Sequence, residues 1–207
     1  LSLIVSGGHT ELVLMHDHGR FERIGETMDD AAGEAFDKVA KMLGLPYPGG
    51  PHIARLAVGG DTKAFDFPRG LLDRDNFEFS FSGLKTSVLY TLRKNEDKLE
   101  NVEFRQNIAA SFQEAAVDVL TQKSMKAIEK YKPKSFILAG GVAANIELRK
   151  RIKKEGTRRA TKVFVPPFTY SVDNAAMIAV AGYFRAQNDK NFVEPEDLAA
   201  DSNMDIV

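Results

Sequence analysis

The feature that most constrains this chain is a strand, a glycine pair, a helix and a second strand in succession towards its C-terminal end. The apolar run 135–139 predicts a buried strand, and Gly140-Gly141 follows it directly. Helical periodicity over 142–154 predicts a helix, and the run 163–165 predicts the second strand. Strands joined through a crossover helix pair in parallel. The unit therefore predicts an α/β fold.

The N-terminal part predicts a second sheet element. The β-like runs 1–5 and 11–15 flank the turn-forming segment Ser6–Thr10, and the run 21–27 extends the same sheet. The chain opens without Met inside an apolar run, so we expect that Leu1 is not the natural start and that an N-terminal lobe lies upstream.

Between these units lies a predominantly helical region at about 31–131. Apolar residues recur at helical spacing in three segments, which are 31–43, 84–92 and 104–131, and again in a final segment at about 172–187. Gly44 and Pro133 are placed to end two of these helices. In the segment 47–51, the pattern predicts a rigid loop in which Gly49 and Gly50 free the backbone and Pro51 opens the next helix.

Composition limits the possible functions. The 28 Lys and Arg nearly balance 29 Asp and Glu, so any attraction to nucleic acid must come from local patches. The absence of Cys excludes disulfides and thiolate metal sites and fits a reducing compartment such as the cytoplasm. No apolar run approaches the roughly 20 residues needed to cross a bilayer, which predicts a soluble protein without a membrane partner.

The two glycine segments are the candidate ligand loops. Ser6–Thr10 combines small residues with backbone amides that we expect to be free for phosphates, although a plain hairpin turn has the same composition. Gly140-Gly141 precedes a helix N-terminus, which favours anions, although tight strand-to-helix packing also requires glycine there. Asn145 is expected in the first helical turn, either as a nucleotide contact or as a surface residue.

Six segments in chain order resemble motifs of the TsaD family of tRNA-modifying enzymes, in its bacterial or organellar form. They are Ser6-Gly-Gly-His-Thr10, Asp30-Ala-Ala-Gly-Glu-Ala-Phe-Asp-Lys38, Tyr47-Pro-Gly-Gly50, Phe79-Ser-Phe-Ser-Gly-Leu-Lys85, Ala139-Gly-Gly-Val-Ala-Ala-Asn145 and Asp173-Asn-Ala-Ala-Met-Ile-Ala179. They cover nearly the whole chain.

The resemblance implies an actin/hexokinase/Hsp70-like ATPase fold, with residues 1–187 forming mostly its C-terminal lobe. Loop 6–10 would be the phosphate loop, 31–131 the helical insertion and 139–145 the adenosine loop. The implied reaction transfers a threonylcarbamoyl group from threonylcarbamoyl-AMP to N6 of the adenosine beside the anticodon, in tRNAs that read A-starting codons. The implied partners are tRNA, a paralogous subunit of the same fold and an ATPase subunit.

The resemblance also assigns residues, although it identifies no catalytic base. The substrate-binding positions would be Ile4, Val5, Ser6, Gly7, Gly8, Asp37, Gly50 and Asn145, with threonylcarbamoyl-AMP, ATP or ADP as ligand. Asp173 would be one ligand of a single Fe²⁺ or Zn²⁺ ion. From the residues alone, Asp37 is equally a solvated position on a helix and Asp173 a favourable helix-start residue.

The family's metal site also takes two His from a His-x-x-x-His motif. None of His9, His16, His18 and His52 has that spacing, so we expect the pair in the N-terminal half. One carboxylate makes an incomplete metal site. We therefore expect that this chain alone neither holds the metal nor transfers the group.

Two questions stay open on the sequence alone. A non-catalytic paralogous subunit and a small-molecule kinase of the same fold remain alternatives to the transferase. The basic run 149–154, continuing to Lys162, either meets tRNA phosphates or is a solvated helix face. Residues 188–207 are acidic and low in aromatics, which predicts a poorly ordered tail.

Overall fold

A computed structural model describes residues 1–171, 173–188, 195–197 and 199, which form a mixed sheet and helices. The strands are β1 Ser2–Val5, β2 Thr10–Asp17, β3 Arg20–Glu26, β4 Ser135–Ala139 and β5 Lys162–Phe164. The helices are α1 Ala32–Met42, α2 Gly49–Leu56, α3 Ser82–Lys94, α4 Val102–Tyr131, α5 Ile146–Arg158 and α6 Ala175–Asn188.

The five strands lie in the order β3-β2-β1-β4-β5. β1 to β3 pair antiparallel, whereas β4 pairs in parallel with both β1 and β5. The predicted hairpin and the predicted parallel unit are therefore both confirmed, and they share one sheet through β1 and β4. Since Ile4 aligns with Ala139, the segments that follow the two strands leave the sheet at the same edge.

The long helices were predicted correctly and form the core. Leu3, Phe136 and Leu138 of the sheet are fully buried, and Phe112 of α4 belongs to the same apolar cluster. The Asn101 side chain caps the start of α4 by accepting from the Phe104 amide, at 2.9 Å. Most of the length of α4 is buried, so it supports the sheet and the other helices.

The prediction for the glycine pair Gly49 and Gly50 was wrong. Both residues lie in the first turn of α2, and neither has a positive φ. Gly49 is needed for close packing instead, because an added Cβ would lie 2.5 Å from the Ala40 Cβ. Helix α2 also begins at Gly49, two residues before the predicted start at Pro51.

The predicted helix at 142–154 is divided in two. Residues Gly141–Ala144 form a 3₁₀ turn, and α5 begins only at Ile146. The reason is the extended backbone of Asn145, with ψ at 120°, which interrupts the helical path. The α5 N-terminus is therefore separated from the glycine pair, contrary to prediction.

Helix α6 contrasts with α4 because it is rich in apolar residues yet exposed. Met177, Ile178, Val180 and Tyr183 all have large solvent-exposed fractions. Within the described residues, no helix combines the length and apolarity that a membrane span requires. Val172 and most of the predicted tail, 188–207, lie outside the described residues.

Candidate functional site

The two glycine loops meet where β1 and β4 end. Gly140 has φ 90° and ψ 169°, a conformation that is essentially restricted to glycine. An added Cβ at Gly140 would overlap the Val5 carbonyl oxygen, so this glycine lets the turn lie against β1. Val5 itself is fully buried, which leaves its backbone as the part that faces the turn. Ile4 is half-buried on the other face of the sheet.

The loop after β1 is held by its own serine. The Ser6 hydroxyl accepts from the amides of Gly8, at 3.3 Å, and His9, at 3.0 Å, while the Ser6 amide donates to the His9 carbonyl. The expectation of free amides was therefore wrong for Gly8 and His9. Gly7 and Gly8 are exposed, with nothing within 4 Å of an added Cβ, so the approach to the loop is open.

The first residues of α1 hold this loop by hydrogen bonds. The Gly33 amide donates to the Ser6 carbonyl at 3.1 Å, and the Ala32 amide donates to the Thr10 hydroxyl at 2.9 Å. Thr10 is fully buried. The loop therefore rests on a helix N-terminus, where the partial positive charge favours anions.

Asp30 fixes the start of α1. Its carboxylate lies 2.8 Å from the Lys38 ammonium and 2.6 Å from the Lys85 ammonium of α3. Burial alone would raise the pKa of Asp30, but hydrogen bonds and charges from the two lysines outweigh it and lower the pKa. The carboxylate is therefore ionised at neutral pH and joins α1 to α3.

Asp29 makes a second connection to α3. Its carboxylate accepts from the amides of Phe81 and Ser82, at 2.8 and 3.2 Å, and from the hydroxyls of Ser80 and Ser82. Burial would raise the pKa of Asp29, but the hydrogen bonds from these serines and amides lower it. An acid from a distant segment thus caps α3, whose own N-cap residue, Phe81, has no capping side chain.

Asp37 and Gly50 lie at the junction of α1 and α2. An Asp37 oxygen accepts from the Gly49 amide at 2.6 Å, so Asp37 caps the start of α2 and is more than a solvated surface residue. Nothing outside the helix backbone lies within 4 Å of a Cβ added at Gly50. The two predicted positions are therefore adjacent in the structure.

Both the oxygen and the nitrogen of the Asn145 side-chain amide make structural hydrogen bonds. Its oxygen accepts from the Leu148 amide at 3.0 Å and caps α5, while its nitrogen donates to the Gln113 side chain at 2.8 Å. Gly141, by contrast, is exposed and has nothing within 4 Å of an added Cβ. In the turn after β4, the space open to a ligand is therefore at Gly141, and not at the Asn145 side chain.

The basic run in α5 is partly paired within the protein. Arg151 contacts Glu114 and Asp118 of α4, and Arg159 contacts Glu129 at 2.7 Å. Burial would lower the pKa of Arg151, but these acids raise it. Arg151 and Arg159 therefore join α5 to α4, whereas Lys153, Lys154 and Lys162 are exposed and form no salt bridge among the described residues.

Asp173 is exposed and precedes α6 by two residues. The Met177 amide donates to Asn174, so Asn174 rather than Asp173 caps the helix. Within the described ranges, no three His, Cys, Asp or Glu side chains come together as a metal site, and His16 pairs with Glu22 at 2.9 Å. The described residues alone do not fit a metal ion, since a single carboxylate is an incomplete ligand set.

Sequence reasoning missed the residues that hold the loops in place. Asp29 was not singled out, because it caps α3, more than 50 positions away, and no local pattern indicates that. The buried contact of Thr10 with α1 and the contact of Gln113 with Asn145 likewise gave no signal, because a buried polar partner is recognised only once the segments are packed together.

These features define an α/β domain in which two glycine loops leave one edge of a mixed sheet. The chain belongs to the TsaD family, described as tRNA N6-adenosine threonylcarbamoyltransferase, whose model matches residues 1–180.

Curated relatives with this name include one from Halalkalibacterium halodurans, 54% identical over 181 residues, which covers 87% of this chain and 52% of the relative. One from Thermosipho africanus is 52% identical over 181 residues, covering 87% and 54%. One from Geobacillus kaustophilus is 50% identical over 204 residues, covering 98% and 58%. The chain thus spans about half the length of the curated relatives it matches.

Proposed function

We propose that this chain forms the nucleotide-binding lobe of a tRNA N6-adenosine threonylcarbamoyltransferase with the actin/hexokinase-like fold. Family membership supports the activity. The parallel pairing of β1 and β4 is the observation that carries the proposal, because it brings the loops after Val5 and Ala139 to one edge of the sheet. Ligands of α/β sheets bind outside the carboxyl ends of parallel strands.

The ligand is the adenylate of threonylcarbamoyl-AMP, and ATP or ADP occupies the same cleft. Its phosphate lies along the 4–8 segment, above the N-terminus of α1. Its adenosine lies against Gly141 and Asn145, and Asp37 and Gly50 contact the rest of the substrate. The open space at Gly7, Gly8, Gly50 and Gly141 supports this path for the ligand.

The reaction is an acyl transfer to nitrogen. The N6 amine of the tRNA adenosine attacks the carbamoyl carbon, a C–N bond forms, the C–O bond to the phosphate of AMP breaks, and the amine loses a proton. AMP departs with the bonding electron pair. Backbone amides and the helix N-terminus beneath Ser6 stabilise the negative charge on the departing phosphate.

The complete enzyme needs parts beyond this chain. We propose Asp173 as one ligand of an Fe²⁺ or Zn²⁺ ion, with two His from outside residues 1–207, so that this chain alone neither retains the metal nor transfers the group. The proposed partners are tRNA, a paralogous subunit of the same fold and an ATPase subunit, and the proposed compartment is the cytoplasm.

Calorimetry on the full-length enzyme tests the nucleotide site. ATP and AMP are expected to bind, GTP more weakly, and inorganic triphosphate more weakly still, because the turn at Gly141 contacts the adenosine. Equal affinity for ATP, GTP and triphosphate would contradict the proposed contact between the adenosine and the turn at Gly141. No binding by any of them would refute the proposed site.

A further inference from the structure

Arg149, like the exposed Lys153, Lys154 and Lys162 of the basic run, forms no salt bridge with an acid among the described residues, but it is the arginine whose guanidinium is fixed by neutral acceptors. Its guanidinium donates to the carbonyl oxygens of Ala143 and Pro166 and to the Ser171 hydroxyl. Burial lowers the pKa of Arg149. Three hydrogen bonds to two different segments fix the plane of the guanidinium, and its positive charge is not cancelled by a carboxylate.

One face of that guanidinium covers an aromatic ring. The Arg149 Cζ lies 4.1 Å from the centroid of the Phe168 ring, the distance of a stacked cation–π pair. Phe168 nevertheless remains 58% exposed. The Arg149 guanidinium therefore stacks on the Phe168 ring, while the remaining surface of the ring is exposed to solvent.

The ring lies at the edge of the sheet where the glycine loops are. Because β5 runs parallel to β4, the segment after Phe164 leaves the sheet at the same edge as Gly140. Arg149 of α5 connects this segment to the turn after β4, because it donates both to Pro166 and to Ala143. Tyr170, in the same short turn as Phe168, is also exposed.

We propose that Phe168, held by Arg149, is a stacking platform for an unpaired nucleobase beside the nucleotide cleft. The inference rests on the proposed function, and it assigns the base to the RNA substrate. A reaction at N6 of an adenosine requires that base to be unstacked from its neighbours. Unpaired RNA bases are commonly bound on aromatic side chains, and every base has a flat face that such a ring can accept.

The charge of Arg149 favours the same ligand. A guanidinium without a carboxylate partner attracts the phosphodiester that accompanies each base. The adenine of the adenylate has the same chemistry as an RNA base, so the experiment must separate the two sources.

The test compares binding of two probes to the full-length enzyme, called the original chain below, and to three variants of it. The probes are AMP and an unmodified anticodon stem-loop RNA from a tRNA that reads an A-starting codon. The variants are Phe168→Ala, Phe168→Trp and the matched control Phe164→Ala. Phe164 is a suitable control because it is 47% exposed and its ring lies 4.9 Å from the Lys162 ammonium, yet it belongs to β5.

Phe168→Ala should weaken RNA binding about tenfold and leave AMP binding unchanged, since one stacked base is lost. Phe168→Trp should retain RNA binding, and Phe164→Ala should resemble the original chain. If Phe168→Ala weakened AMP binding and left RNA binding unchanged, the assignment to RNA would be contradicted. Phe168 would then stack on the adenine of the adenylate.

Equal RNA and AMP affinities in the original chain and Phe168→Ala would overturn the platform while leaving the proposed function intact. Equal losses in Phe168→Ala and Phe164→Ala would overturn it as well, because exposed aromatic surface in general would then explain binding. If the original chain bound neither probe, the proposed function would fail, and the platform with it.

Discussion

The two glycine loops at the sheet edge are stabilised in different ways. The loop after β1 is closed by its own Ser6 hydroxyl, and its glycines have open space around them. The turn after β4 is fixed from outside, by the contact of Gly140 with Val5 and by the hydrogen bond from Arg149 to Ala143.

The difference indicates which loop can adapt to a ligand. At the tip of the first loop, the Gly8 and His9 amides bond to one hydroxyl and can exchange those bonds for bonds to a phosphate at little cost, while the backbone bonds of Ser6 to His9 and Gly33 hold its base. A turn that depends on close backbone packing must keep its shape. We therefore expect the turn after β4, which would contact the adenosine, to be preformed. The loop after β1, which would contact the phosphate, should adjust when the ligand binds.

The largest effect should come from Gly140→Ala. The residue would have to adopt a glycine-only conformation and would overlap the Val5 carbonyl, so we expect a loss of about 3 kcal/mol in the free energy of unfolding. Urea denaturation measures this, with Gly141→Ala as the control in open space. Equal stability of the two variants would show that the second turn is not fixed by packing.

Asp30→Asn should weaken the support beneath the first loop. Both lysine contacts lose their charge partner, and we expect the melting temperature to fall by about 5 °C at pH 7. Because the pKa of Asp30 in the folded protein is below its ordinary value of 3.8, its stabilisation is complete above that pH and is lost as the pH falls through the lowered pKa.

Thermal melts of both proteins across this range provide the check. The difference between Asp30→Asn and the original chain should disappear in acid. A difference that stayed constant down to the lowest pH would mean that packing, and not charge, is responsible.

Gly141→Val tests the adjacent space without disturbing the fold. Nothing lies within 4 Å of the new Cβ, so stability should be unchanged. Adenine nucleotide affinity should fall by about tenfold because the added methyl groups occupy the ligand's space. Calorimetry with AMP measures this, and unchanged affinity in a well-folded variant would place the adenosine elsewhere.

Ser6→Ala should have a smaller effect, on the first loop only. The amides of Gly8 and His9 lose a shared acceptor at an exposed site, where water replaces it, so the expected cost is about 0.5 kcal/mol. Hydrogen exchange at these two amides should accelerate while the amides of the turn after β4 stay protected. Acceleration in both loops would contradict their independence.

Asp173→Ala should have the smallest effect on stability, because the side chain is exposed and Asn174 caps α6. In the full-length enzyme we expect bound metal and tRNA modification to fall together without a change in melting temperature. Elemental analysis and a modification assay on one preparation decide this. Normal metal content and rate would remove Asp173 from the metal site.

The sequence was most informative where local pattern decides structure. β-like runs beside turn residues located β1 to β3, and helical spacing located α1 and α4 because it reflects one buried face. The extended backbone at Asn145 was missed, since asparagine is compatible with both a first turn and a cap. The boundary shifted by several residues as a result.

The site was less predictable than the fold because its details depend on contacts between distant segments. The amides of Gly8 and His9, which were expected to be free, donate to the Ser6 hydroxyl. The sequence does not determine the rotamer of Ser6, so it could not show this contact. Asp29 reaches α3 across 52 positions, as far as Phe81. The role of Arg149 likewise appears only when Pro166 and Ser171 pack beside it.

The outer strands of the sheet affect how copies of this protein would meet in solution. β5 has only three residues, and β3 carries charges at Arg20, Glu22, Arg23 and Glu26, with irregular register against β2. Short or charged edges are poor templates for strand addition, so edge-to-edge aggregation is disfavoured. Among the described residues, the exposed apolar side chains of α6 have no such protection against non-specific association.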